Sequence, residues 1–260
     1  MKWSFLSLGV WFLVVPLAAQ KADDVPPPFE KKTEVGQKAE TGAFESDDDS
    51  VPKLVRVQVE FIELAHTKLT ELLMNDQPKT ADATVLRMKV QELVSKGDAT
   101  VVETMIASGR SGEKATGESI SEFIYPTEYA EPELPGTFAG RAPPRGVGIL
   151  PTAFETRNLG STLEIEPTVG FGNRMMDLRF VPEIVWHTGN TVWSEVKDAS
   201  GNVTKIQMPD FYSLRLNTSI VALIGQYQFV AALSPKNTEG KTAATRKVMV
   251  FVKCDVLPVK

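Results

Sequence analysis

The chain has 260 residues, a formal net charge of −5, two histidines and a single cysteine. The acidic balance offers no basic footprint for nucleic acid, and two histidines with one cysteine supply neither a zinc-type ligand set nor an internal disulfide. That length holds one large or two small domains.

At the N-terminus Lys2 precedes an apolar run over residues 5–17, followed by the small Ala18 and Ala19. This order predicts a secretory signal peptide over residues 1–19, removed before Gln20. The run is short for a membrane-spanning helix. No cysteine follows it, so no lipid anchor is expected, and the chain reads as exported. Residues 20–52 combine Pro26, Pro27 and Pro28 with the acidic Asp47, Asp48 and Asp49. Such a composition buries too little apolar surface to offset chain entropy, which predicts a disordered linker.

The folded domain is expected over residues 53–260. Val55, Val57, Val59 and Phe61 alternate with Arg56, Gln58 and Glu60, the pattern of a half-buried strand. Leu69, Leu72 and Leu73 suit a short helix that ends at Asn75, Asp76, Gln77 and Pro78. A second helix is expected over residues 81–96, with Leu86, Val90, Leu93 and Val94 on one face and Gly97 as a left-handed cap. Residues 99–106 form a β-rich run that leads to a turn at 108–112, and residues 119–125 form a strand closed by Pro126. Residues 130–151 are rich in Pro and Gly and read as a long irregular loop.

The β pattern then dominates. Leu163 and Ile165 face one way, Thr162, Glu164 and Glu166 the other, and the strand stops at Pro167. Met176, Leu178, Phe180 and Pro182 continue the alternation across a turn at Gly172 and Asn173. A second hairpin is expected from residues 191–196 and 203–208, and a third from 212–224 and 227–233 around Gly225 and Gln226. Residues 234–246 read as loop and residues 247–256 as the last strand, which holds Cys254 as a buried, inert thiol. The fold class is α+β, mainly antiparallel β with one or two helices near the start.

No motif for bond chemistry emerges, so the chain reads as a non-enzyme with no catalytic, cofactor-binding or metal residues. Glu60 and Glu63 fall on opposite faces of a strand, which excludes a general acid/base pair. His66 follows the first strand as a capping or packing residue, and His187 reads as a solvated turn residue between Trp186 and Trp193. Those two tryptophans read as packed hairpin residues rather than as bilayer anchors. Gly160, Gly170 and Gly172 precede no helix and form no phosphate loop.

The ordered set of these segments resembles the C-terminal module of bacterial secretins, the outer-membrane rings of type II and type III secretion and of type IV pili. The likeness runs from about residue 54 to 257. It rests first on the stretch from Phe154 through Gly160 to Val169, with residues 178–184 behind it. Residues 55–64 resemble the opening strand of the module, and residues 86–102 its helix leading into a strand. Residues 122–135 resemble a form seen in one branch, residues 208–226 the penultimate hairpin, and residues 247–252 the closing strand. The chain departs from the family in several places. It has a linker where periplasmic ring domains usually stand. Ala231 and Ala232 replace a glycine pair, residues 234–246 replace a Pro/Gly-rich segment, and the gate-region glycine matches Gly117 only loosely.

The resemblance implies a short secretin-like protein that acts by assembling, as a homo-oligomer or with a full-length secretin, within secretion or pilus machinery. It implies an exported protein of the outer membrane or periplasm of a Gram-negative-type bacterium, with outer-membrane contact and no nucleic-acid or small-molecule substrate. The alternative is a soluble periplasmic accessory protein with a degenerate module and no pore. Ring closure in this reading pairs the first and last strands with neighbouring copies. Glu164, Glu166, Asp177, Arg179 and Glu183 then line a polar lumen or an inter-sheet surface; the alternative is a solvated sheet face.

Overall fold

The computed structural model describes residues 52–130, 149–197, 203–237 and 240–258. The signal-peptide and linker assignments, the turn at residues 198–202 and most of the long Pro/Gly-rich loop lie outside the described residues. The element order is β1 (Leu54–Ala65), α1 (His66–Asp76), α2 (Thr84–Lys96), β2 (Ala99–Arg110), β3 (Ala115–Tyr129), β4 (Pro151–Val169), β5 (Met175–Lys197), β6 (Val203–Arg215), β7 (Thr218–Leu223), β8 (Tyr227–Leu233) and β9 (Arg246–Leu257). The fold is mainly antiparallel β with two helices near its start, as the sequence pattern predicts.

The strands form two sheets. One has the order β2-β1-β9-β8; the other runs β3-β4-β5-β6, and β7 pairs with the part of β5 that β6 leaves free. Strand periodicity sets the layers. Val55, Val57, Val59 and Phe61 of β1, with Val248, Val250, Val252 and Cys254 of β9, face the second sheet and bury against Leu163, Ile165, Met176, Leu178 and Phe180. The opposite face of the first sheet offers Ile62, Leu64, Met249 and Phe251 to Leu69 of α1 and to Leu86 and Val90 of α2. The result is helix on sheet on sheet. Each fully buried aliphatic or Phe side chain contributes about 1.5–3 kcal/mol of transfer free energy, so β1 and β9, covered on both faces, anchor the domain.

Helix α2 stops where expected. Gly97 takes φ 82°, its N–H donates to the Val94 carbonyl at 3.1 Å, and the Asp98 N–H donates to the Leu93 carbonyl at 2.9 Å. This is the paired capping pattern that a left-handed glycine permits. The helix begins at Thr84 rather than at residue 81, because the Asp82 carboxylate accepts from the Thr84 N–H at 2.8 Å and holds the chain out of the helix until that point.

The strands are longer than the sequence pattern suggests. β2 continues through Ser108 and Gly109 to Arg110, so the turn falls at residues 111–114. Pro126 does not end β3: it lies in an edge strand, where the missing N–H costs no ladder bond, and a register shift follows it. Pro167 likewise leaves β4 intact to Val169. Residues 187–190 are not a turn but a register shift inside the 23-residue β5. Pro209 sits within β6, and the break expected nowhere in residues 212–224 occurs at residues 216 and 217. The predicted third hairpin does not form. β7 pairs with β5, while β8 pairs with β9, so the chain changes sheets at Gly225. The largest correction concerns the first and last strands. They pair with each other in the middle of the first sheet, from Leu54↔Leu257 to Ala65↔Arg246, and so are not free to meet neighbouring copies.

Candidate functional site

The sandwich has two lateral sides, and both end in strand edges. β2 lies over β3 and β4, while β7 lies under β8 and β9. One side therefore presents the edges of β2 and β3, the other those of β8 and of β6 with β7. Among the described residues no strand pairs with these outer edges. An edge strand carries a row of unsatisfied N–H and C=O groups, which template pairing with another chain.

The second sheet also outruns the first. The β3–β4 pairing continues from Ile120↔Gly160 out to Tyr129↔Pro151, and the β5–β6 pairing from Glu183↔Arg215 out to Lys197↔Val203, but β4 and β5 pair only between Gly160 and Val169. Beyond Gly160 the sheet forks into two two-stranded ribbons. Residues 191–195 are all exposed, and the β4 arm buries little. Two-stranded ribbons are marginal in water on their own.

Aromatic side chains tie the ribbons together. Trp186 and Tyr212 are cross-strand partners stacked at 5.3 Å, and both pack against the main core. The next pair, His187 and Phe211, points to the other face of the same ribbon. There Phe123 of β3 stacks on His187 at 4.7 Å and meets Phe211 edge-on at 5.8 Å, with Tyr125 at 5.6 Å from Phe211. The β3–β4 ribbon thus laps over the β5–β6 ribbon. His187 is a half-buried member of this cluster, contrary to its reading as a solvated turn residue, and its Nε2 lies 2.9 Å from the Asn190 side-chain oxygen. Trp193 is 73% exposed and makes no stack with Trp186, so the two tryptophans are not a packed pair.

The remaining singled-out residues make contacts within the fold. Glu60, 5% exposed on the helix side of β1, pairs with Arg87 of α2 and accepts from the Gln58 amide at 2.7 Å. Arg87 lies over the Tyr227 ring, and burial together with the Glu60 charge raises the Tyr227 phenol above its usual range. Glu63 pairs with Arg246. His66 opens α1, with Nδ1 3.1 Å from the Ala244 carbonyl oxygen. Burial and the adjacent Asp255 push the Cys254 thiol up to about 12, which keeps it protonated and inert. Among the described residues no cluster of three His, Cys, Asp or Glu side chains could hold a metal ion, and no helix is long and apolar enough to cross a membrane.

On the outer face of the second sheet, at the level of the sandwich, charges pair across strands. Lys114 meets Glu164 at 2.8 Å, Arg179 meets Glu166 at 3.9 Å and Arg215 meets Glu183 at 3.7 Å. Further out this face turns apolar on the β3–β4 ribbon, where Ile124 is 63% and Phe154 57% exposed. Sequence alternation foresaw the charged row, but the open edges and the fork were invisible to it, because both depend on which strand pairs with which.

The chain is similar to bacterial secretins. A type II secretin, GspD of enteropathogenic Escherichia coli, matches 80% of this chain and 70% of its own at 13% identity and a TM-score of 0.40. The secretin InvG of the Salmonella SPI-1 type III secretion injectisome matches 80% of this chain and 66% of its own at 10% identity and a TM-score of 0.41. The GspD of an enterotoxigenic pilotin–secretin complex with AspS matches 80% and 50% at 11% identity and a TM-score of 0.40. No protein-family model matches the sequence, and comparison with curated proteins returns no match.

Proposed function

We propose that this chain is a secretin-like subunit of an export apparatus that works by joining copies of itself, or a full-length secretin, edge to edge, with no bond chemistry. The observation that carries this reading is the pair of open lateral sides. Each ends in a strand edge from both sheets, and the two sides are different surfaces. A head-to-tail contact between unlike surfaces closes into a ring when its rotation divides the circle. The ribbons beyond Gly160 add weight, since two-stranded ribbons are marginal in water until further strands join them.

In this reading the apolar N-terminal run delivers the chain across the inner membrane, and the assembly serves secretion or pilus formation at the outer membrane. The ion pairs on the outer face of the second sheet favour water at that level, so bilayer contact falls to the distal ribbon carrying Ile120, Ile124 and Phe154. The same ion pairs support the second reading, a soluble periplasmic accessory without a pore.

The test is fractionation of cells that express the full chain, with extraction in mild detergent and mass measurement of the purified species. A multimer in the outer-membrane fraction is the expected result. A monomer released by osmotic shock that co-purifies with a full-length secretin favours the accessory role. A monomer that binds neither itself nor a secretin overturns both.

A further inference from the structure

Resting on the assembly reading above, we propose that the joint between successive copies sets β3 of one against β6 of the next, with Glu118 and Glu122 of β3 facing Arg215 of the neighbour. Three observations meet here. First, β3 and β6 are the two outer edges of one sheet whose strands alternate in direction. A neighbour's β3 laid beside β6 therefore continues the antiparallel ladder without changing its pattern.

Second, the edges carry complementary charge. β3 contains Glu118, Glu122 and Glu128 and no lysine or arginine. Among the described residues none of the three carboxylates makes an ion pair. Glu118 and Glu122 share the outer face of the strand, four residues apart. Across the sheet Arg215 of β6 is 58% exposed, and Glu183, at 3.7 Å, is its only ion-pair partner among the described residues. One carboxylate at that distance leaves most of the guanidinium N–H donors for another acceptor.

Third, the levels agree. Ladder partners run Glu118↔Thr162, Thr162↔Glu183 and Glu183↔Arg215, so acid and base stand in one row on one face. With no stagger between copies, Arg215 meets the neighbour's Glu118. Strands of a closed barrel tilt by about 35–45°, which over four strands displaces the next copy by roughly four residues. One sense of that displacement brings Glu122 to Arg215. The other brings Lys114, which repels it and is already held by Glu164. The charges thus select the sense of stagger as well as the partner edge.

A charge-swap experiment on the full chain tests this. Arg215→Glu alone and Glu118→Lys with Glu122→Lys each juxtapose like charges at the joint, and each is expected to lower the multimer fraction about tenfold or more at fixed concentration. The combined triple variant is expected to recover to within about threefold of the unmodified protein. Wild-type assembly should also weaken as sodium chloride is raised, while Arg215→Gln responds less. These side chains are exposed, and circular dichroism melting verifies that each variant remains folded. A triple variant no better than its parents, or parents that assemble normally, overturns the joint and leaves the assembly reading standing. A wild-type chain that stays monomeric in every fraction overturns both.

Discussion

Gly160 lies directly against Ser119. A Cβ placed on Gly160 would stand 2.1 Å from the Ser119 carbonyl oxygen and 3.2 Å from the Ile120 Cα. Its φ of 121° is also one that L side chains rarely adopt. This glycine sits where β4 leaves β5 and the sheet forks, pairing with Ile120 on one side and Val185 on the other.

Gly160→Ala is therefore expected to cost about 1–3 kcal/mol from backbone strain alone, and more from the collision with the β3 carbonyl. Urea titration of the purified protein measures the loss. Gly112→Ala offers a comparison at positive φ with open space around its Cβ, and should cost less.

The lapped ribbons make a separate prediction. Phe123 touches both His187 and Phe211. Aromatic pairs of this geometry contribute about 0.5–1.5 kcal/mol beyond their buried area. Phe123→Ala and Phe211→Ala should accelerate amide hydrogen exchange in β3 and β6 while leaving β1 and β9 protected. The double variant should show a coupling of about 1 kcal/mol. Uniform loss of protection across both sheets would contradict the placement of this cluster outside the main core.

Glu60 and Arg87 join α2 to the centre of the first sheet with both side chains nearly buried. Removing one partner strands the other charge, so Arg87→Met should destabilise by about 3–5 kcal/mol. Glu60→Leu with Arg87→Met should cost distinctly less than the sum of the single changes, because no charge is then left unpaired. Thermal unfolding of the three variants checks this.

Cys254 gives the alkaline behaviour. Its folded thiol is raised to about 12 from an ordinary value of 9.0. A group raised on folding contributes stability below its unfolded pKa and loses it as pH climbs toward the folded one. Between pH 9 and 12 the unfolded chain ionises its thiol while the native chain does not, so stability should fall more steeply in the wild type than in Cys254→Ala. A thiol-reactive maleimide should label the native protein slowly at pH 8 and at once in denaturant. Prompt native labelling would mean the thiol is not enclosed by β1, β9 and the second sheet.

Much of this architecture was legible in the residues. The alternations in β1, in the inner part of β4 and in the start of β5 show which side chains enter the core, because a strand's period of two fixes the face of every residue. The face of α2 and its glycine cap follow from local chemistry in the same way. Prolines misled where they sit inside strands. Pro126 lies on an edge, where no ladder bond is lost, and Pro167 and Pro209 both lie within long strands. Glycine misled at residue 189, where a register shift imitates the composition of a turn.

By itself, then, the sequence determined the antiparallel β character and the helices before it, since these depend on local periodicity and residue type. Which strands are neighbours was decided only in three dimensions. β1 and β9 are adjacent although almost two hundred residues separate them along the chain, and that closure leaves β2 and β8 as the edges of the first sheet. Alternation specifies the face a side chain takes and is silent about the strand beside it, because backbone hydrogen bonds are the same for every residue that can donate and accept.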